Sequence, residues 1–125
     1  QSILSAYRQD MLDSMVAKMG LSLYFDRLAG NSNIYAASKV AYGKRLVADI
    51  GCRPDEIVMV GDTDHDFEVA RTLGIACILV SCGHNSPARL EKLGVAVFPC
   101  LAAAAQHLLP GLSPRVCNDG QAIPA

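Results

Sequence analysis

The chain has 125 residues, of which 51% are hydrophobic, and a formal net charge of −1. This length and apolar content suit one domain with a single core, while a charge so close to zero, without a run of Lys or Arg, argues against a nucleic acid or an anionic membrane as partner. No apolar stretch is long enough to span a bilayer, and the first residues show no signal-peptide pattern.

The first half of the chain predicts a short strand followed by two helices. The first helix carries a methionine-rich apolar stripe on one face and stops at Gly20. The second has Ser38 as a candidate N-cap and stops at Gly51. The predicted elements are a strand at 2–6, a helix at 7–19, an unassigned apolar segment at 24–28, a loop at 30–33 and a helix at 38–50.

The second half alternates strands and helices more regularly. The predicted elements are strands at 57–60, 75–80 and 95–98, and helices at 65–73, 87–92 and 101–108. After Pro110 there is little periodicity, so we expect an irregular tail. Strands that alternate with helices of this length predict an α/β fold, in which a parallel sheet is covered by helices on both faces.

Three carboxylates at two-residue intervals follow the predicted strand at 57–60. Four consecutive strand-forming apolar residues predict a buried parallel strand, which places Asp62, Asp64 and Asp66 at its carboxyl end. At this edge of an open α/β sheet ligands bind. Because three crowded negative charges repel one another unless a cation or a proton is present, the sequence predicts a metal site.

Two alternatives apply to these carboxylates. Their spacing matches the start of a calcium-binding EF-hand loop, but Phe67 stands where glycine is needed and Leu73 where a glutamate is needed, which excludes that site. Helix capping stays open, with Asp64 as the cap and Asp66 favouring the positive end of the helix. Asp62 is the hardest to explain structurally, because a lone carboxylate at the end of a buried strand is costly unless it is ligated or hydrogen-bonded.

Two further residues are candidates for binding a phosphate. Ser5 lies at the carboxyl end of the first predicted strand, where its hydroxyl can donate a hydrogen bond to a phosphate oxygen. Lys39 lies in the first turn of a helix, where the helix dipole opposes a cation, so it needs an anionic partner nearby. The structural alternatives are a strand-end turn residue and a solvated lysine.

The cysteines and histidines carry weaker signals. Five cysteines are an odd number, and no C-x-x-C pair is present, so we predict free thiols in a reducing cytoplasm and neither a disulfide framework nor a zinc site. A catalytic thiol at Cys82 is the weaker alternative. His84 follows the strand at 75–80 and could line the same cleft, whereas His65 is expected at the surface or behind the site ligands and His107 at a helix end.

Together these motifs resemble those of the haloacid dehalogenase-like hydrolase superfamily, particularly its phosphoglycolate phosphatase-like branch. The resemblance covers roughly residues 1–109 and implies a three-layer Rossmann-like core, partial in this chain, with residues 110–125 as an irregular tail. It rests on the second, third and fourth motifs of that family, which match Ser5, then Lys39, then Gly61-Asp62-Thr63-x-x-Asp66 followed by Val69-Ala70 and Leu73-Gly74-Ile75.

The resemblance also implies a reaction and a role for each residue. In this superfamily an aspartate of a first motif attacks the phosphorus, a second aspartate two residues later acts as general acid and base, and Mg²⁺ is bound by the first of these and by the fourth-motif aspartate. By position, Ser5 would hydrogen-bond a phosphoryl oxygen, and Lys39 would stabilise the charge of nucleophile and phosphate. Asp62 would bind Mg²⁺, and Asp66 would complete the acidic cluster directly or through water.

The first motif is missing from these 125 residues. No Asp-x-Asp-x-Thr or Asp-x-Asp-Gly segment follows an apolar strand, and the cap domain that relatives carry between the first and second motifs is absent too. We therefore expect the C-terminal part of a longer phosphatase. In the family the first-motif strand lies between the second-motif and fourth-motif strands, so its absence must leave a gap or bring those two together. Either outcome exposes or rearranges a sheet edge through which the chain could associate.

The expected function is a cytoplasmic, Mg²⁺-dependent phosphatase that hydrolyses a small phosphomonoester through an aspartyl-phosphate, present here as a fragment without its nucleophile. The alternative is a non-catalytic binding or scaffolding module that retains the phosphate and metal cleft. A phosphoacceptor receiver domain would need an aspartate pair near the start, and none is there. Because the cap largely supplies specificity in the family, phosphoglycolate, a sugar phosphate and a nucleotide are equally admissible substrates.

Overall fold

The computed structural model describes residues 1–32 and 38–111, and in them the chain is α/β. It divides into two compact units, the first formed by Gln1–Cys52 and the second beginning at Arg53. Each unit contains parallel strands that alternate with helices. The predicted fold class is therefore confirmed. Within the described residues, none of the helices combines the length and the hydropathy that crossing a membrane requires.

The first unit pairs two parallel strands and adds a helix after each. Regular pairing joins Ser2–Leu4 of the first strand to residues 27–29 of the second. The helix between them buries Leu12 and Val16, four residues apart on one face, as an amphipathic helix should. The second helix ends at Gly51, whose φ of 73° favours glycine. The elements are β1 (Ser2–Arg8), α1 (Gln9–Lys18), β2 (Arg27–Asn31) and α2 (Lys39–Ile50).

The loop predicted at 30–33 is wrong at its start, because Gly30 and Asn31 belong to β2. The side chain of Gln9 takes the place of a strand partner there: its Nε2 donates to the Leu28 carbonyl at 3.1 Å, and its Oε1 accepts from the Gly30 N–H at 2.7 Å. A Cβ on Gly30 would lie 2.9 Å from the Gln9 Cα. Glycine thus permits a close approach within the unit, where local sequence rules predict a turn. Asn33 lies outside the described residues.

The second unit is a three-stranded parallel sheet in the order β3-β4-β5. The middle strand carries the core: Leu79 is fully buried, as are Val69 and Leu90 from helices of the same unit. The predicted order of elements is confirmed, and each boundary agrees within two residues. The elements are β3 (Val58–Gly61), α3 (Asp64–Leu73), β4 (Ala76–Val80), α4 (Pro87–Glu91), β5 (Val97–Phe98) and α5 (Leu101–Leu108).

The strand that precedes the carboxylates is not buried, contrary to the prediction. Val58 and Val60 of β3 remain 37% and 38% exposed. The cause is that β3 has a strand partner on one side only, β4, and β1 likewise pairs only with β2 among the described residues. Among the described residues, β1 and β3 each therefore have one edge without a strand partner in their own sheet.

The prediction that all cysteines are free thiols is wrong at Cys100. That residue takes part in a disulfide, whereas Cys52, Cys77 and Cys82 are free. The spacing of cysteines along a chain does not reveal which of them meet in the fold, so the absence of a C-x-x-C pair was no guide here. Cys117 lies outside the described residues, as does most of the tail after Pro110.

Candidate functional site

Asp66 anchors the turn that joins β3 to α3. Thr63 is the N-cap of α3, and its Oγ1 accepts a hydrogen bond from the Asp66 N–H at 3.1 Å. In return the Oδ2 of Asp66 accepts from the Asp62 N–H, the Thr63 N–H and the Thr63 hydroxyl, at 3.1, 3.2 and 2.9 Å. This is a capping box. With 6% of its surface exposed, Asp66 is buried because these donors satisfy it.

Gly61 makes room for that arrangement. A Cβ at this position would lie 2.4 Å from the Asp66 Cβ and 2.8 Å from its carboxyl carbon. Real Cβ atoms do not approach so closely, so any larger residue would push Asp66 out of its capping position. The Gly-Asp pair at the end of β3 thus folds the backbone tightly over the first turn of α3.

Asp62 is held through one of its two carboxylate oxygens. Its Oδ2 accepts a hydrogen bond from the His84 N–H at 3.0 Å and lies 2.7 Å from the His84 Nδ1. Its Oδ1 receives no hydrogen bond from any described residue. The side chain is 32% exposed. Asp62 therefore has one carboxylate oxygen, Oδ1, without a hydrogen-bond donor among the described residues.

Asp64 is engaged by the segment that follows β4. Its Oδ1 accepts from the Asn85 side-chain amide at 3.0 Å, and its Oδ2 pairs with the guanidinium of Arg89 on α4. The bond from Arg89, followed by that from Asn85, lowers the pKa of the Asp64 carboxyl. The alternative that Asp64 caps the helix, which the sequence left open, is wrong, because Thr63 holds that position. Its charge is instead balanced within the unit.

The acidic segment, residues 62–66, provides only some of the ligands that a Mg²⁺ ion needs. Among the described residues, no group of three or more His, Cys, Asp or Glu side chains could hold a metal ion. Mg²⁺ does not require such a cage, because proteins commonly bind it through one or two carboxylates, with water and substrate phosphate oxygens completing the octahedron. Asp62 fits as one such ligand. A metal-binding role for Asp66 stays a prediction, since its Oδ2 already accepts three hydrogen bonds.

The other two predicted site residues lie in the first unit. The prediction that Ser5 lies at the carboxyl end of its strand is wrong, because β1 continues to Arg8. It instead follows the last regular pair, Leu4 with Ala29, where the register with β2 becomes irregular. The Ser5 Oγ accepts from the Tyr7 N–H at 3.1 Å, so its hydroxyl proton can still be donated. Lys39 is the first residue of α2, as predicted, and is half-buried.

Ser5 and Lys39 belong to one unit and the acidic segment to the other. Their combination into a single phosphate and metal site therefore stays a prediction. The cleft of about 360 Å³ within the first unit, lined by side chains of β2 and α2 that include Arg27 and Arg45, contains neither Ser5 nor Lys39.

Sequence reasoning missed three residues that shape the acidic segment: Gly83, Asn85 and Arg89. No spacing rule places them beside Asp62 and Asp64, since they follow the next strand of the sheet. The other histidines lie apart from these contacts. His65 is exposed, and its ring has no described partner. The ring of His107 packs 4.9 Å from that of Phe98.

Parallel strands that end in an acidic turn define a Rossmann-like α/β protein with a ligand edge at the carboxyl ends of its strands. Residues 36–110 match the model of the HAD-hydrolase-like family. Because that match spans more than half of the chain, the chain belongs to this family, the haloacid dehalogenase-like hydrolases. The predicted family is thereby confirmed.

Individual relatives agree with the family. A phosphoglycolate phosphatase of Synechococcus elongatus is 28% identical over 83 residues, which cover 66% of this chain and 38% of that protein. The crystal structure of a predicted phosphatase from Clostridium acetobutylicum matches 87% of this chain and 51% of its own, with a TM-score of 0.80 and 18% identity. A haloacid dehalogenase-like family protein from Streptococcus pneumoniae matches 77% and 45%, with a TM-score of 0.69 and 21% identity. The chain thus spans about half or less of the length of these proteins.

Proposed function

We propose that the chain is part of a Mg²⁺-dependent phosphatase that hydrolyses a small phosphomonoester. Membership of the haloacid dehalogenase-like hydrolases and the similarity to a phosphoglycolate phosphatase support this function. The observation that carries it is the state of Asp62, which follows β3 with Oδ2 held by His84 and with Oδ1 accepting no hydrogen bond from the described residues. A carboxylate in that state is prepared to bind a cation.

In the proposed site, each residue binds the metal or the phosphoryl group, or supports a residue that does. Asp62 binds Mg²⁺ through its carboxylate, and Asp66 keeps the turn that presents Asp62 in place and completes the acidic cluster directly or through water. Ser5 donates its hydroxyl proton to a phosphoryl oxygen, and Lys39 places a positive charge beside the nucleophile and the phosphate. When bound, Mg²⁺ offsets the negative charge of the carboxylates and of the phosphoryl group. The site acts by positioning and electrostatic stabilisation, as phosphoryl transfer generally requires.

We propose further that the nucleophile lies outside these 125 residues. The chain has no Asp-x-Asp-x-Thr segment after an apolar strand. By resemblance to the family, an oxygen of an aspartate attacks phosphorus while the bond from phosphorus to the ester oxygen breaks, and a second aspartate gives the leaving alkoxide a proton. Water, losing a proton to that second aspartate, then attacks the aspartyl-phosphate and releases phosphate. The strand that brings these two aspartates is proposed to pair with the unpaired edges of β1 and β3.

The substrate is proposed to be a small phosphorylated metabolite in the cytoplasm, with no nucleic-acid or membrane partner. The near-neutral charge of the chain supports this restriction. By resemblance to the family, a cap domain would determine whether the substrate is phosphoglycolate, a sugar phosphate or a nucleotide.

The test is to assay phosphomonoester hydrolysis by a protein in which an N-terminal segment with the first motif precedes Gln1. We expect Mg²⁺-dependent release of phosphate that falls by about a hundredfold or more in Asp62→Asn, since the metal stabilises the transition state by several kcal/mol. A matched control is Arg71→Gln, which removes an exposed ion pair with Glu68 on the same helix and should leave the rate unchanged. If no phosphomonoester in a broad panel is hydrolysed, the phosphatase function is wrong.

The alternative is a non-catalytic module that binds a phosphorylated ligand. The engagement of Asp64 and Asp66 by protein donors favours it. It predicts that the same extended protein binds inorganic phosphate or a phosphomonoester without releasing product, and that Asp62→Asn does not change the rate.

A further inference from the structure

The segment between β4 and α4 lies over the acidic turn and fixes one of its carboxylates. His84, 22 residues after Asp62 in the chain, approaches its Oδ2 with two nitrogen atoms, the backbone N at 3.0 Å and Nδ1 at 2.7 Å. Because an ionised carboxylate oxygen only accepts hydrogen bonds, we assign the role of donor in this contact to Nδ1. Two donors on one oxygen restrict rotation of the carboxylate about its bond to Cβ, and the other oxygen remains without a described donor.

We propose that His84 is a positioning residue for metal binding, which holds the Asp62 carboxylate so that Oδ1 is the oxygen offered to Mg²⁺. This inference rests on the proposed function, because it assumes that Asp62 binds the metal. Groups that hydrogen-bond a metal ligand orient it and change metal affinity although they never touch the ion. His84 has the geometry of such a group. Its position in the sequence indicated only that it could line the cleft, and gave it no role in metal binding.

Gly83 shows how closely the segment approaches Asp62. A Cβ on Gly83 would lie 2.1 Å from the Asp62 Oδ2 and 2.4 Å from its Cβ. Only glycine lets the backbone pass at this distance, and the backbone N–H of the next residue is the one that reaches Oδ2. The contact is therefore built into the path of the chain and does not depend on a long side chain alone.

Two neighbours pin the segment independently of the imidazole. The Asn85 amide and the Arg89 guanidinium both bind Asp64 at the start of α3. The imidazole of His84, in contrast, is 89% exposed, so its removal takes away little packing. A variant without the imidazole should keep the fold and the backbone bond to Asp62, and lose one of the two donors. This separates positioning from a purely structural role.

The experiment is an NMR titration of the wild-type chain, extended by an N-terminal segment that carries the first motif before Gln1, with Mg²⁺ alone, repeated with Mn²⁺ to locate the ion by paramagnetic broadening. The variants are His84→Ala, His84→Phe as a second donor-free side chain, His84→Asn, whose amide can donate from the place of Nδ1, and Asp62→Asn. His65→Ala is the matched control, because that histidine is exposed on α3 and its ring has no described partner.

We expect Asp62-dependent broadening in the wild-type chain, and Mg²⁺ affinity about tenfold weaker in His84→Ala and His84→Phe. Tenfold is the lower end of the usual range for such groups, because the backbone donor remains. His84→Asn should recover affinity to within about threefold of wild type, and His65→Ala should match wild type.

Equal affinity of the wild-type chain and the donor-free variants, with binding lost in Asp62→Asn, would overturn the role of His84 while leaving the proposed metal site intact. Failure of His84→Asn to recover affinity would overturn the hydrogen-bond explanation. Absence of any Asp62-dependent binding by the wild-type chain would overturn the metal site, and with it the positioning role.

Discussion

The two units of this chain organise their candidate site residues in different ways. In the second unit, Asp66 accepts three hydrogen bonds, Asp62 is held by His84, and two glycines permit approaches that no other residue would allow. In the first unit, the described bond to the Ser5 side chain is one exposed contact from Tyr7. The fourth-motif segment, residues 61–66, is thus fixed by contacts within its own unit, whereas the hydroxyl proton of Ser5 has no acceptor among the described residues.

The largest effect that tests this comparison is expected at Asp66. Asp66→Ala removes the acceptor of three hydrogen bonds and leaves two backbone N–H groups without it. We expect the free energy of unfolding to fall by about 2–3 kcal/mol, the combined cost of a lost cap and unsatisfied donors, as measured by urea denaturation. Asp55→Ala is the control, because this exposed partner of Arg53 should cost less than about 0.5 kcal/mol. Equal effects would contradict the account.

A second test is whether the close approach at Gly83 is needed. Gly83→Ala forces Asp62 or the segment after β4 to move, which should cost about 1–3 kcal/mol by the usual range for overpacking. Gly111→Ala is the matched control, because nothing lies within 4 Å of the added methyl and its backbone is not in the left-handed region. Thermal or urea unfolding of the two variants measures the difference, and a Gly83→Ala chain as stable as Gly111→Ala would show that the segment is not held at this distance.

The reactivity of two cysteine thiols tests the difference between the interior of the second unit and the surface of the first. Burial, with a smaller effect of the Asp66 charge, raises the pKa of the Cys77 thiol from 9.0 to about 11, whereas Cys52 is exposed. At pH 8 we expect iodoacetamide to label Cys77 at least about tenfold more slowly than Cys52, because only the thiolate reacts. Mass spectrometry of peptides from a labelling time course gives both rates, and comparable rates would contradict the burial of Cys77.

The raised pKa of Cys77 also fixes a direction for stability. The folded state favours the neutral thiol, so this contribution to stability is complete below about pH 9 and is lost as the pH rises through about 11. Urea denaturation at pH 8 and pH 10.5 should show a larger decrease for the wild-type chain than for Cys77→Ala. If the difference in free energy of unfolding between the two proteins is the same at both pH values, the pKa of Cys77 is not raised.

The smallest effect is expected at Ser5. Ser5→Ala removes an exposed hydrogen bond and should change the free energy of unfolding by no more than about 0.5 kcal/mol. Thr63→Ala, which also removes a hydroxyl but takes away the N-cap of α3, should cost about 1 kcal/mol. A larger loss at Ser5 than at Thr63, in the same urea experiment, would mean that Ser5 has a structural role.

Much of the fold was predictable because hydrophobic periodicity reports whether a segment is a helix or a strand. The helix at Leu101–Leu108 agrees residue for residue. The errors occur where tertiary contacts override local rules. Gly30 and Asn31 look like turn residues, yet pairing with β1 and the Gln9 side chain make them part of a strand. The apolar run before Asp62 looks buried, but whether a strand is covered depends on its neighbours in the sheet.

The candidate site was predictable in its chemistry and less so in its contacts. The Thr63-x-x-Asp66 spacing is a capping-box signal and could have been recognised from the sequence. The bonds from Asn85 and Arg89 to Asp64 could not, because they join residues more than twenty positions apart through the packing of two loops. Asp62 is the carboxylate with an oxygen that has no described hydrogen-bond donor. The sequence indicated only that an unpaired carboxylate at this position would be costly.

The central claim is that Asp62 binds the metal for a nucleophile that these 125 residues do not contain. The most direct test is an assay of p-nitrophenyl phosphate hydrolysis in the presence of Mg²⁺ by the purified 125-residue chain and by its Asp62→Asn variant. We predict that neither protein raises the rate above that of buffer. Turnover by the 125-residue chain that is abolished by Asp62→Asn would contradict the claim, because the nucleophile would then lie within the chain.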